Sequence, residues 1–182
     1  MHGITHSSSQ RLIDFAYEYA KEAHGTQVRK YTGEPYITHP VAVANLVASR
    51  TIDCEMICAA LLHDVIEDTD VTYDDLMEVG FGRGIAELVL ELSDVSELSD
   101  GNRDTRKAID RQHTSEASSR AKTVKLADLI HNSSSILRED KDFAKIYMNE
   151  KRLLLAVLTE GDSTLHSYAT GIVENYFTEG VK

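Results

Sequence analysis

Ala59-Ala60-Leu61-Leu62-His63-Asp64-Val65-Ile66-Glu67-Asp68-Thr69 sets an apolar run directly against four ionisable side chains. The residues before the histidine, from Met56 to Leu62, are apolar on nearly every side, which predicts a helix from about Asp53 to Val65 buried in the centre of a domain. Ionisable groups at the end of such a helix cost stability unless they have a task. On a helix His63 and Glu67 are four apart, as are Asp64 and Asp68, so each pair projects from neighbouring positions on successive turns. An adjacent imidazole and carboxylate make a mixed donor set suited to a divalent transition metal. Two donors hold a metal poorly, so further His or Asp residues are expected from distant parts of the chain.

The flanking sequence is helical as well. Leu12, Phe15, Ala16, Tyr19, Ala20 and Ala23 recur at spacings of three and four in a first helix that starts near Ser9 and stops at Gly25. Residues 26–38 form a polar loop with Arg29, Lys30, Gly33 and Pro35, and Pro40 then opens a helix where its missing N–H does no harm, leaving His39 at a helix entrance. Thr72 with Asp75 reads as a capping box, residues 84–93 as a helix and 94–105 as a loop. Further helices are expected near 105–113, 116–131, 142–159 and 163–177. Only two prolines and little β-branched alternation make the fold class all-α, with one domain over residues 9–178 behind a flexible segment 1–8.

Composition narrows the partners. The chain has 182 residues, 42% hydrophobic and 27% charged, enough for one full core and too few for two comfortable domains. A net charge of -11 disfavours nucleic acid and anionic membranes, so an anionic ligand needs local basic residues and a metal. No apolar run is long enough to span a bilayer, and the first nine residues lack the regions of a signal peptide, so a cytoplasmic protein is expected. Cys54 and Cys58, four apart, read as two small core residues in a reducing compartment.

A second acidic candidate is Asp128 in Lys125-Leu126-Ala127-Asp128-Leu129-Ile130-His131-Asn132, where a carboxylate interrupts an apolar helical stretch. Buried carboxylates have partners. His39, Asp128 and the His63-Asp64 pair make a two-His, two-Asp set with open positions for water and substrate, and Asn132, one turn after Asp128, faces the same pocket. His39 reads equally well as a helix-start imidazole, and His131 reads as structural. From spacing alone Arg29 and Lys30 read as a solvated pair, and Arg103, Arg106, Lys107 and Arg111 as basic residues on a helix surface beside Asp104 and Asp110.

Three extended blocks, Arg29 to Pro40, His63 to Thr69 and Lys125 to Asn132, together resemble the HD-domain hydrolase module of the RelA/SpoT family. The resemblance implies a helical bundle with a metal site at its centre, in the form of a stand-alone small alarmone hydrolase. It implies one divalent ion per chain, usually Mn2+, held by His39, His63, Asp64 and Asp128, with Glu67 and Asp68 directing the attacking water. The reaction implied is removal of the 3′-pyrophosphate from guanosine tetra- or pentaphosphate, giving GDP or GTP and pyrophosphate. Arg29 and Lys30 then match a nucleotide-contacting pair, Asn132 a residue near the ribose or base, and Tyr147, more loosely, a pocket tyrosine. Self-association into a homo-oligomer is also compatible with the family.

The chain departs from the long bifunctional members at Leu129, at Ser133 to Ser135 and at Tyr31. These changes bear on base preference more than on catalysis, so adenosine alarmones and the 2′-phosphate of NADPH stay open as substrates. A general HD-type nucleotide phosphatase and a non-catalytic nucleotide sensor are the competing readings. A sensor would most simply have lost a ligand or acidic residue, and none of the six is lost.

Overall fold

The computed structural model describes residues 8–179, so residues 1–7 of the expected leading segment lie outside the described residues. The described residues hold ten α-helices and one short 3-10 turn: α1 (Ser8–His24), α2 (Thr38–Ala48), α3 (Cys54–Leu62), α4 (Val65–Asp68), α5 (Tyr73–Glu78), α6 (Arg83–Leu92), the 3-10 turn Leu98–Asp100, α7 (Arg103–Glu116), α8 (Ser119–Glu139), α9 (Lys141–Leu155) and α10 (Ser163–Glu179). Among the described residues the one β-type pairing is an isolated bridge between Val28 and Pro35. The fold is all-α. No helix among the described residues is long and apolar enough to cross a membrane.

The apolar helix α3 lies at the centre, packed on α1, α2, α6 and α8. Met56, Cys58, Ala59, Ala60, Leu61 and Leu62 are all buried. Its start is fixed by Asp53, whose carboxylate accepts from the backbone N–H of Glu55 and Met56. The expected run to Val65 is cut short. The helix ends at Leu62, because the His63 ring turns back on the Ala60 carbonyl, and the His63-Asp64 pair occupies a turn that leads into α4. The Asp68 N–H bonds the Asp64 carbonyl at 2.8 Å across that turn, so the expected pairing of positions 64 and 68 survives the break.

Helix α8 is the second central element, in contact with α2, α6, α9 and α10. It runs to Glu139, eight residues beyond the expected end at 131. The hydroxyls of Ser133 and Ser135 turn back onto the carbonyls of Leu129 and Asn132, which lets polar residues stay buried in a helix. The 94–105 stretch is a loop as expected, except that α7 begins at Arg103 with Asn102 as its cap. The Thr72–Asp75 capping box forms, with both reciprocal bonds present.

The loop between α1 and α2 is a small hairpin. Arg29 N–H bonds Glu34 O at 2.8 Å and Tyr36 N–H bonds Gln27 O at 2.9 Å, while Gly33 at φ 70° makes the turn that a side chain would strain. This hairpin brings Arg29 to Asn132 within α8 and Tyr36 to Asp64 and Asp68 at α4.

Candidate functional site

His39, from the first turn of α2, and His63, after α3, meet in the interior at 1% and 2% side-chain exposure, with their Nε2 atoms 3.2 Å apart. Asp128 places Oδ1 3.2 Å from His39 Nε2 and 3.8 Å from His63 Nε2. Asp64 adds Oδ1 at 3.2 Å from His63 Nε2 and Oδ2 at 3.4 Å from His39 Nε2. The other nitrogen of each ring is already engaged. His63 Nδ1 donates to Ala60 O at 2.8 Å, and His39 Nδ1 lies 2.7 Å from His131 Nδ1. Burial, with the charges of His39 and Arg29, pushes the His131 imidazole down to about 4, so it offers a lone pair to the His39 N–H.

Two imidazole lone pairs then face each other beside two carboxylates, an arrangement that requires a proton or a cation between them. Without a cation the proton is held tightly. Burial would push the His63 imidazole down, but the carboxylates of Asp64 and Asp128 outweigh it and hold the group up at about 9. Asp128, against the same opposition of burial, is kept well below the usual carboxylate range by its bonds to His39 and His63. His39, His63 and Asp128 present donor atoms all within 4.8 Å of one another, a cluster able to hold a divalent metal ion.

The surrounding groups fix these donors. Asn132 donates from Nδ2 to Asp128 Oδ1 at 2.6 Å and accepts from an Arg29 Nη at 2.5 Å. Tyr36, which sequence reasoning passed over, places its hydroxyl 2.8 Å from Asp64 Oδ2 and 2.7 Å from Asp68 Oδ2. Its ring packs on His24, with centroids 4.5 Å apart, and lies under the Arg29 guanidinium. Burial, then the charge of Asp64, pushes the Tyr36 phenol well above its ordinary value, so it keeps its proton.

A cleft opens above the cluster, lined by Asp64, Glu67, Asp68 and Asp128 on one side. Burial, and then the charge of Asp94, push the Glu67 carboxyl up to about 7, and burial raises that of Asp68. Arg103, Lys107, Arg111, Lys125 and Lys151 bring positive charge to the same cleft. Arg103, Lys107 and Arg111 are therefore cleft residues, where the sequence reading left them on an open helix surface. Their spacing of four residues along α7 was the available signal. Lys125 Nζ donates to Leu92 O at 3.1 Å; burial opposes its charge, yet Asp128, Asp94, Glu67 and Asp64 hold the ammonium above its ordinary range.

The structure thus brings His39, His63, Asp64, Glu67, Asp68, Asp128, Asn132 and Arg29 together, with Tyr147, 6% exposed, on the cleft wall. Lys30 stands apart. It is three-quarters exposed, bonds Tyr31 Oη at 3.1 Å and lies over the ring of Phe143, which itself lines the cleft. Leu129 and Ser133, expected to bear on base preference, are buried and neither lines the cleft. His131, read as structural, fixes the ring of His39.

Residues 16–152 match the family described as HD domain. The chain belongs to the HD-domain family. This HD-domain protein is 45% identical over 131 residues to the bifunctional (p)ppGpp synthase/hydrolase SpoT of Escherichia coli, a match that covers 69% of the chain and 18% of SpoT. The chain therefore spans less than a fifth of the length of the first curated relatives it matches. It is also 37% identical over 134 residues to the guanosine-3′,5′-bis(diphosphate) 3′-pyrophosphohydrolase MESH1 of Danio rerio, covering 72% of each chain. The solved structure described as a metazoan ortholog of SpoT that hydrolyzes ppGpp superposes with a TM-score of 0.82 at 25% identity, over 99% of this chain and 100% of that one.

Proposed function

We propose that this HD-domain protein is a metal-dependent hydrolase that removes the 3′-pyrophosphate of (p)ppGpp. The observation that carries the reading is the inward-facing pair of His39 and His63 with Asp128 and Asp64, set beneath a cleft that places Glu67 and Asp68 beside them. The relatives supply the substrate: SpoT and MESH1 are named for this reaction, and MESH1 matches over most of both chains. His39, His63, Asp64 and Asp128 hold the ion in this reading. The donor set suits a divalent metal without choosing one; Mn2+ is our assignment, by resemblance. When bound, such an ion lowers the pKa of a coordinated water and polarises a phosphoryl oxygen.

The chain's own groups supply the rest. Glu67, whose carboxyl sits near neutrality, takes the proton of the attacking water, and Asp68 positions that water. Tyr36 holds Asp68 and Asp64 by one hydroxyl. Asn132 steadies Asp128 and, with Arg29, faces the nucleoside, while Tyr147 packs on the substrate and Lys30 meets it at the cleft's mouth. Free thiols at Cys54 and Cys58 suit a reducing compartment such as the cytoplasm.

The test is product analysis with matched guanosine and adenosine 3′-pyrophosphates and with NADPH. Faster release of pyrophosphate from the guanosine compound supports the reading. Turnover of NADPH to orthophosphate alone would refute it.

A further inference from the structure

Most charged residues of the cleft come in matched sets. Arg103 gives Nε and an Nη to Glu150 at 2.6 and 2.9 Å, and Lys107 is held by Asp94 and by Asp110. Lys125 is anchored on Leu92 O in a ring of carboxylates. Arg111 donates one long bond, to Lys107 O at 3.5 Å, and Lys151 has none at all. It lines the cleft one turn beyond Tyr147 on α9, and its Nζ lies 4.7 Å from the centroid of the Tyr147 ring. Among the described residues that nitrogen makes no hydrogen bond and no ion pair.

An ammonium withdrawn from water without an anionic partner is unfavourable. Burial indeed pushes Lys151 below its ordinary value; of the neighbouring charges Asp128 acts on it most strongly, followed by Lys125 and Lys107, which repel it. Three ammonium groups, from α7, α8 and α9, thus line one cleft, and two of them are bonded by the protein. The third is left for something that enters. It lines the same cleft as Asp64, Glu67, Asp68 and Asp128, where the reacting end of a substrate must lie.

We propose that Lys151 is the seat of the scissile pyrophosphate, its ammonium taking the phosphate oxygens that point away from the metal cluster. The proposal rests on the alarmone reading above and adds what that reading leaves open, the residue that neutralises the pyrophosphate as it becomes product. Tyr147 forms the apolar floor beneath this contact. Because pyrophosphate leaves with Lys151 still beside it, the residue's effect extends to product binding.

Lys151→Met keeps the aliphatic stem and removes the charge, and Lys151→Arg restores the charge. The experiment measures inorganic pyrophosphate binding to the manganese-loaded protein by calorimetry, and inhibition of turnover by pyrophosphate and by GDP separately. The expected result is pyrophosphate affinity weakened about tenfold or more by Lys151→Met and recovered by Lys151→Arg, with GDP inhibition and metal content unchanged. Unchanged pyrophosphate affinity in Lys151→Met would overturn the proposal, as would a loss confined to GDP. The two readings fail separately. A wild-type protein that binds pyrophosphate through Lys151 yet turns over no alarmone would retire the substrate and keep the anion seat; normal turnover with no calorimetric difference would retire Lys151 alone.

Discussion

The Tyr36 hydroxyl carries one proton and faces two carboxylates, Asp64 at 2.8 Å and Asp68 at 2.7 Å. If Asp64 holds the proposed metal ion, the Tyr36 proton would be left to Asp68 and would hold it in one orientation. Tyr36→Phe keeps the ring on His24 and removes only this bond, worth about 1.5 to 3 kcal/mol when the acceptor is charged. We expect kcat to fall roughly 10- to 100-fold with KM near wild type and the melting temperature lowered by about 3 to 10 °C, read by steady-state kinetics and thermal melts. The acidic residues separate by role. On the proposed assignment, Asp64→Ala and Asp128→Ala are expected to lose metal and activity together, and Glu67→Ala to lose activity with metal retained, as read by metal analysis of the purified variants. An Asp128→Ala protein with metal bound and full activity would contradict the ligand assignment.

At the scale of elements, α8 is held against the α9–α10 turn by close contact. A Cβ at Gly161 would sit 2.7 Å from Leu126 Cδ1 and 3.1 Å from the Lys122 carbonyl carbon, so Gly161→Ala must push the turn off α8. A cost of about 1 to 3 kcal/mol is expected, measurable as a lower denaturation midpoint. Leu126 lies two residues before Asp128, so metal affinity should weaken with it. Much at this scale was legible in the sequence. Asp128 and the His63-Asp64 pair betray themselves by interrupting apolar helical runs, and Thr72 with Asp75 is a local capping signal that needs no tertiary partner. What was hidden depends on individual side-chain bonds that periodicity does not report, most of them to distant elements. The turn at His63 is set by its own ring bonding Ala60 O, Tyr36 matters because the hairpin carries it to α4, and Lys151 stands out only once the partners of Arg103, Lys107 and Lys125 are known.

For the molecule as a whole, the site stores an electrostatic conflict that a bound divalent ion would resolve. In the metal-free protein His63 is held up at about 9, above its ordinary 6.5, so its contribution to stability is fully present below about 6.5 and lost as pH rises through about 9. Glu67, raised to about 7, changes in the same direction. Asp128, held low, contributes above its ordinary value of 3.8 and is lost only in stronger acid. Melting in the presence of chelator is therefore expected to fall between pH 6 and 9, and added manganese to recover it at pH 9; a flat profile would show that the central cluster is not coupled to folding. In the proposed function the same ion underlies the chemistry. The most direct measurement is the products formed from guanosine 3′-pyrophosphate substrate by the manganese-loaded protein, with and without chelator. One pyrophosphate for each GDP or GTP, abolished by chelation, is the predicted result; intact substrate with the metal bound, or release of orthophosphate in place of pyrophosphate, would contradict it.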